Sequence, residues 1–329
     1  MKQKKLIILV AATLFLPLRA GAQSAGTSVF DFLSLPTSSH AMALGGHNLS
    51  LPDDDASLLF LNPALMSDAS DHALALSFLT YMKGSKAGSA AWTMAHGERG
   101  TWGVGAQFVG YGTMKEVTVD GIQQGDFSAM DMAVTGGYSY ILTEHIAGGA
   151  TGKFIYSHYG HFSSIALAVD LGLNYYDEDH DFSISLVGAN LGGQVKAFGD
   201  THEALPYDVR LGLTKQLANA PIRFSVSMVD LTRWKASQYY SPDGDPSAGR
   251  IFTNHLVVGV DILPAKQVYI SAGYNFRRAY EMKAAGSSHG AGLSFGAGLN
   301  IKKFRLGLAY AKYHLSVPSF MLTAQYSLK

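Results

Sequence analysis

The chain has 329 residues, 25 of them lysine or arginine and 25 aspartate or glutamate, with 36 glycines and no cysteine. The balanced charge excludes an electrostatic surface for nucleic acid, and the lack of cysteine excludes disulfides and lipid attachment at a processed cysteine. Charged residues make up only 15% of the chain, whereas glycine, tyrosine (17) and phenylalanine (17) are abundant. This combination favours a membrane barrel over a soluble globule.

Residues 1–22 have the three parts of a secretory signal peptide. Three lysines within the first five positions form a basic head, residues 6–18 are apolar, and Ala20-Gly21-Ala22 provides the small residues of a cleavage site. A retained membrane anchor is the alternative, but an apolar run this short, interrupted by Pro17, does not span a bilayer comfortably. We therefore expect an exported protein whose mature chain begins at Gln23.

Residues 23–71 carry apolar side chains without a strand period, and prolines and paired glycines interrupt them. Asp53-Asp54-Asp55 precedes the apolar run at 56–60, which predicts a short helix capped by aspartate and stopped by Pro63. The aspartates lack the glycine and the distal glutamate of a calcium loop, so a helix cap or a salt link is expected instead. This segment is well placed to fold back as a hatch that plugs the rest of the chain.

From position 72 to the C-terminus, apolar residues recur at every second position, which is typical of strands with one apolar face. The predicted strands lie at about 72–82, 87–97, 100–113, 126–140, 144–157, 162–176 and 180–191, and then at 207–214, 222–228, 256–262, 268–276, 293–299, 304–310 and 320–328. Fourteen is an even number, as single-chain bacterial barrels require. The sequence therefore predicts an all-β membrane protein, a 14-stranded antiparallel outer-membrane β-barrel over residues 72–329.

The predicted connections between these strands alternate in length. Tight turns are expected at 97–100, 141–144, 177–180, 217–220, 264–266 and 301–303, and longer connections near 113–125, 192–205, 234–250 and 278–289. Short periplasmic turns and longer outer loops are typical of outer-membrane barrels. A soluble sandwich or lipocalin-like barrel is the alternative, but it would need a polar exterior.

The most distinctive sequence motifs of the chain lie in residues 28–46 and, after them, in Asp53-Asp54-Asp55 and Asn62-Pro63-Ala64-Leu65. Together they resemble the start of the PorQ family, outer-membrane components of the type IX secretion system. More distantly, Asn62-Pro63-Ala64 ahead of a fourteen-strand barrel is similar to the PorV and FadL families, the latter being long-chain fatty-acid transporters. In these terms the hatch motif consists of Asp53, Asp54, Asp55, Asn62, Pro63 and Ala64.

The resemblance implies a non-enzymatic barrel that anchors the cell-surface attachment complex. Its expected partners are a PorZ-like surface protein, a PorU-like sortase and a PorV-like shuttle, together with outer-membrane lipid and lipopolysaccharide. The alternative is a FadL-type transporter in which the hatch guards a path for a hydrophobic solute.

Catalytic and metal chemistry find little support in the sequence. The run 292–296 matches the G-x-S-x-G pattern around Ser294, but no acid follows Glu281, so the order of a hydrolase triad is incomplete. His158 and His161 lack a third ligand with suitable spacing, which favours histidines in an outer loop. We expect neither an enzyme nor a cofactor.

The richest candidate for protein recognition is the loop at 234–250. Its exposed aromatic and charged residues would suit an interface: Trp234, Tyr239, Tyr240, Asp243, Asp245 and Arg250. The alternative is an aromatic girdle at the membrane surface, which is favoured for Trp234 and left open for the two tyrosines.

Overall fold

The computed structural model describes residues 28–82, 84–117, 123–241, 244–283, 289–314 and 317–328, so the expected signal peptide lies outside the described residues. Fourteen antiparallel strands form a closed barrel, in which every strand pairs with its sequence neighbours and the first pairs with the last. The strands are β1 (Ala73–Thr80), β2 (Lys86–His96), β3 (Gly100–Val117), β4 (Gln123–Ile141), β5 (Ile146–Tyr159), β6 (Phe162–Asp177), β7 (Phe182–Lys196), β8 (Asp208–Gln216), β9 (Ile222–Met228), β10 (Leu256–Ala265), β11 (Val268–Asn275), β12 (Leu293–Ile301), β13 (Phe304–Ala311) and β14 (Ser319–Ser327). All fourteen predicted strands are confirmed.

In the described residues, helical structure occurs only in short segments outside the strands. The α-helices are α1 (Ser39–Ala43), α2 (Ala248–Asn254) and α3 (Phe276–Glu281), and 3-10 turns occur at Asp31–Ser34, Ala56–Phe60, Pro63–Asp68, Ala236–Gln238 and His289–Gly292. Within the described ranges, no helix is long and apolar enough to cross a membrane.

The strands are apolar on the outside and small or polar on the inside. In β8, Leu211 and Leu213 are exposed, whereas their neighbours Arg210 and Thr214 are buried. The same alternation along β1 exposes leucines and a phenylalanine and buries alanines and a serine. Because apolar side chains form the outer face and polar ones the lumen, the soluble alternative is wrong and the outer face is a lipid-facing belt.

The connections confirm the predicted asymmetry between the two ends of the barrel. Six turns at one end contain only two to five residues each, and at the other end the connections over 197–207, 229–255 and 276–292 are long. We call these the short-turn end and the long-loop end. Short turns face the periplasm in barrels of this type, so the long-loop end faces outward.

One predicted loop is wrong. The connection expected at 113–125 is largely strand, since β3 continues to Val117 and β4 starts at Gln123, with Met114 opposite Phe127 in the ladder. Most side chains of this projecting hairpin are exposed on both faces. Its sequence therefore lacks the alternation of buried and exposed residues from which a strand is predicted. Similarly, β7 extends to Lys196, into the loop expected at 192–205.

Residues 28–71, which we call the N-terminal segment, pack against the inward face of the barrel. The segment begins at the long-loop end, where Ser28 forms a parallel bridge with Ala204, and ends at the short-turn end before β1. It supplies eight of the twelve largest fully buried side chains among the described residues: Met42, Leu44, Leu49, Leu51, Leu58, Leu59, Leu65 and Met66. The core of the molecule therefore lies inside the barrel, where this segment supplies most of the largest buried side chains and the strands supply mainly smaller ones.

Candidate functional site

Two capped 3-10 turns build the part of the N-terminal segment that carries the hatch motif. Asp55 caps the turn at Ala56–Phe60 and accepts a hydrogen bond from the Ser57 amide at 2.8 Å, which confirms the predicted aspartate cap. Pro63 does more than stop this turn, because it opens a second one capped by Asn62. Proline suits that position, where its missing N–H has no helical partner to lose.

Asn62-Pro63-Ala64 is held at the wall formed by β4, β5 and β6. The Asn62 side chain is fully buried and donates to the Leu49 carbonyl at 2.8 Å, and Ser139 donates to the Ala64 carbonyl at 3.0 Å. The wall has glycine at the point of contact, since a Cβ at Gly149 would overlap the Pro63 backbone and lie 2.7 Å from the Ala64 nitrogen. Because glycine has no Cβ, the motif approaches the backbone of the wall more closely here than it could at any other residue type.

Replacing Gly149 with alanine should therefore destabilise the protein by about 1–3 kcal/mol, because the added methyl group overpacks the contact with backbone that cannot rotate away. Gly152→Ala is the matched control on the same strand, since a Cβ there meets nothing within 4 Å. The midpoint of urea unfolding in detergent micelles measures both variants. Equal midpoints would contradict the close contact.

A chain of charged residues joins the segment to the barrel at the short-turn end. His40 in α1 contacts Asp53 of the segment through Nδ1 at 3.2 Å and Asp261 of β10 through Nε2 at 3.0 Å. Asp261 also pairs with Arg223 of β9 at 2.7 Å, and Arg305 of β13 pairs with Asp53. The expected salt link of the aspartate run is thus present: Asp53 pairs directly with Arg305, and through His40 the charged chain reaches two further strands.

His40 lies in the segment, outside the membrane-spanning strands, and is buried among these acids. Burial disfavours its charged form, but the carboxylates of Asp261 and Asp53 outweigh that cost and raise the pKa of His40 above its usual value. Burial alone would raise the pKa of Asp53, but Arg305 and His40 hold it well below its usual range. The stability that charged His40 provides is therefore present below its unfolded pKa and lost as the pH rises through the raised value.

Asp54, the middle aspartate of the hatch motif, has partners both in the segment and on β14. Asp54 accepts hydrogen bonds from the Ser70 amide at 2.7 Å and from the Ser70 hydroxyl at 2.6 Å, and its carbonyl accepts one from Gln325 of β14 at 2.8 Å. Sequence reasoning missed the partners His40, Arg223, Asp261 and Arg305. For Arg223, Asp261 and Arg305 the available signal was a charged residue at an inward position of a strand, and the apolar pattern does not reveal its partner. His40 lies in α1 and carried no such signal.

Cavities lie at both ends of the segment. At the short-turn end, a cavity of about 370 Å³ is lined by polar residues that include His40, Asp53 and Lys266. At the long-loop end, one cavity of about 310 Å³ is rich in charged residues and another of about 300 Å³ is rich in aromatic ones. In the charged cavity, burial alone would raise the pKa of Asp230, but Arg277 and Arg233 lower it to about 2.

Comparison with known proteins identifies the fold. No family model matches the sequence, and no curated protein matches it. Among solved structures, the toluene transporter TodX of Pseudomonas putida aligns with a TM-score of 0.56 at 14% identity, covering 91% of this chain and 98% of that chain. A FadL homologue of Pseudomonas aeruginosa gives 0.52 at 13% identity (89% and 98% covered), and the monoaromatic hydrocarbon channel CymD gives 0.54 at 12% (89% and 96%).

The chain has the FadL-type barrel fold. This fold and the lipid-facing belt make it a multi-pass β-barrel of the outer membrane. The comparisons give no support for the narrower resemblance to the PorQ family.

The expected recognition loop of this FadL-type barrel does not form one exposed surface. Tyr239 is only 5% exposed and donates its hydroxyl to the Arg233 carbonyl at 2.7 Å, so it packs within the loop, and its expected role in an outer interface stays a prediction. Trp234 and Tyr240 are exposed at 51% and 62%. Arg250 packs over the Tyr280 ring at 4.6 Å. Asp245 is exposed, and Asp243 lies outside the described residues.

The remaining sequence candidates lie on strands or in a turn of this FadL-type barrel. Ser294 is buried in β12 and donates to the Ala43 carbonyl at 2.9 Å, so the strand–turn–helix setting of a nucleophile elbow is not formed there. His158 is part of β5 and not of an outer loop, whereas His161 occupies the turn before β6. In the described part of the chain, no three metal-ligating side chains form a group.

Proposed function

We propose that this FadL-type barrel passes small hydrophobic solutes across the outer membrane, with the N-terminal segment as the hatch. The observation that carries the proposal is the apolar filling of the lumen by the segment, with cavities at both ends. Water-filled porins have polar lumens. A polar solute would lose its hydration among side chains such as Met42 and Leu65, whereas an apolar solute would lose little.

The neighbouring structures support the same class of solute. One is described as a toluene transporter and another as a monoaromatic hydrocarbon channel. Their identity to this chain is below 15%, so the solute class is an inference for this chain and toluene is a probe. Passage requires the segment to shift, since it occupies the middle of the lumen. A solute that binds more tightly to the shifted conformation would increase the population of that conformation.

The anchoring role in a type IX attachment complex stays a prediction from the resemblance of residues 28–65. No comparison supports it, and Tyr239 of its expected docking set is buried. The PorZ-like, PorU-like and PorV-like partners likewise remain expectations of that resemblance.

A disulfide between the segment and β8 tests the proposed function. The Ser50 and Thr214 hydroxyl oxygens are 2.8 Å apart, and the chain has no native cysteine, so Ser50→Cys/Thr214→Cys introduces one unique pair. We expect the oxidised variant to lose toluene uptake and the reduced variant to regain it, because the bond fixes the segment to the wall. Uptake of labelled toluene is measured in a Gram-negative host that lacks its own channel of this kind.

The matched control joins two strands without involving the segment. Asn174 and Ser185 lie opposite each other in β6 and β7, so Asn174→Cys/Ser185→Cys should retain uptake in both redox states. Equal uptake by the oxidised and reduced forms of the first pair would show that the segment need not move. Uptake no higher than that of the empty host in every variant would reject the hydrophobic-solute function itself.

A further inference from the structure

The aromatic cavity at the long-loop end has a lining unlike that of the other cavities. Its volume is about 300 Å³, at the lower end of the range of small-molecule sites. Six aromatic side chains line it: Phe30, Phe32, Tyr81, Tyr111, Tyr159 and Phe198. The same lining contains two acids, Asp31 and Asp131, and among the described residues it contains no lysine, arginine or histidine.

Asp131 is the buried acid of this cavity. Its side chain is 1% exposed and accepts hydrogen bonds from the Tyr111 hydroxyl at 2.6 Å, the Tyr159 hydroxyl at 2.8 Å and the Ser157 hydroxyl. All three donors are neutral hydroxyl groups, so they provide hydrogen bonds to the Asp131 oxygens but no positive charge to balance the carboxylate. A buried carboxylate is ordinarily paired with a cation.

The inward-facing base on the neighbouring strand does not serve as that cation. Lys153 of β5 pairs with Asp170 of β6 at 2.6 Å and donates to Asn190 at 2.8 Å. It lies opposite Thr135, whereas Asp131 lies opposite Ser157, so the two residues are four positions apart, about 13 Å, along the ladder. The second acid, Asp31, is exposed and bonded to the Ser28 hydroxyl at 2.7 Å.

A strained residue helps to form the wall. Phe30 has φ 65° and ψ 35°, the left-handed conformation that bulky residues rarely adopt. Such strain costs about 1–3 kcal/mol and is retained where the surroundings fix it. Here Phe30 is buried, with its ring 6.3 Å from that of Phe198, which in turn is 5.2 Å from that of Tyr159.

We propose that this cavity binds a small organic ammonium ion. Aromatic rings attract a cation through their quadrupole, and rings grouped around a site are the arrangement that recognises quaternary ammonium. The uncancelled carboxylate of Asp131 and the nearby Asp31 strengthen this attraction in a partly buried setting. A neutral apolar molecule would use the rings but gain nothing from the two acids. The inference goes beyond the proposed function and does not depend on it.

Choline is the probe that tests the site, and dimethylbutanol, its neutral carbon isostere, is the matched ligand control. Equilibrium dialysis of labelled choline against the full-length barrel in a maltoside detergent measures saturable binding. We expect choline to bind at least about tenfold more tightly than dimethylbutanol, which competes poorly because it lacks the charge. Absence of saturable choline binding by the folded wild type, or equal competition by the isostere, would overturn the proposal.

Variants of Tyr81 locate the binding. Tyr81→Leu keeps an apolar side chain but removes the ring, and should weaken choline binding several-fold, whereas Tyr81→Phe should retain it. Asp131→Asn should weaken binding about tenfold, with circular dichroism and resistance to unfolding by detergent as the test of folding. Unchanged choline binding in both folded Tyr81→Leu and folded Asp131→Asn would place the ligand elsewhere and overturn the proposal. A failure of toluene uptake would leave these binding results unaffected.

Discussion

Deletion of residues 24–66 should convert the barrel into an open pore, with planar-bilayer conductance at least about tenfold above that of the full chain. The N-terminal segment supplies most of the large buried side chains, and the strands around it present small residues such as Gly149, Gly172 and Gly212. Without the segment, no other described part of the chain of comparable volume occupies the lumen. Residues 67–71 remain as the connection into β1.

The deletion variant must first be shown to form its barrel. Heat-dependent mobility in gel electrophoresis and circular dichroism test this assembly. The oxidised Ser50→Cys/Thr214→Cys variant is the closed control, because its segment is present and fixed. An assembled deletion variant that conducts no better than the full chain would show that the strands' own side chains close the lumen.

A charge in the centre of the lipid-facing belt should have the largest effect on stability. Leu211 lies near the middle of β8, is exposed on the outer face, and has apolar neighbours on the adjoining strands. We expect Leu211→Arg to reduce the free energy of unfolding by about 2–4 kcal/mol, because the guanidinium loses its hydration in hydrocarbon. Urea unfolding in lipid vesicles measures the change.

Leu217→Arg is the matched control for depth in the membrane. Leu217 is an exposed leucine in the turn after β8, where the same substitution should cost only about 0–1 kcal/mol near the interface. If both variants lose the same stability, the belt does not lie in lipid as the alternating faces indicate.

The position of the strands was predictable because alternation is a local property. The outward leucines of β8 recur every second residue whatever their partners, so the pattern is visible before any tertiary contact is known. Prediction failed where this cue was missing. The hairpin beyond Thr113 is exposed on both faces, and Tyr239 looks like an exposed loop residue until the loop folds over it.

The candidate site depended on contacts that the sequence does not contain. His40 and Asp261 are 221 positions apart and meet only because the closed barrel brings β10 to the segment in its lumen. Gly212 reads as one more small residue on a polar face, yet a Cβ there would lie 2.8 Å from that of Leu49. The aromatic cavity likewise gathers Phe30, Tyr81, Asp131 and Phe198 from separate elements.

The sequence by itself determined that this chain is a fourteen-strand membrane barrel preceded by a segment without strand period. Only the tertiary structure decided which inward charges pair, where the segment touches the wall and which rings face one cavity. The physical reason is that side-chain alternation follows from the backbone geometry of neighbouring residues, whereas long-range contacts follow from barrel closure and strand register.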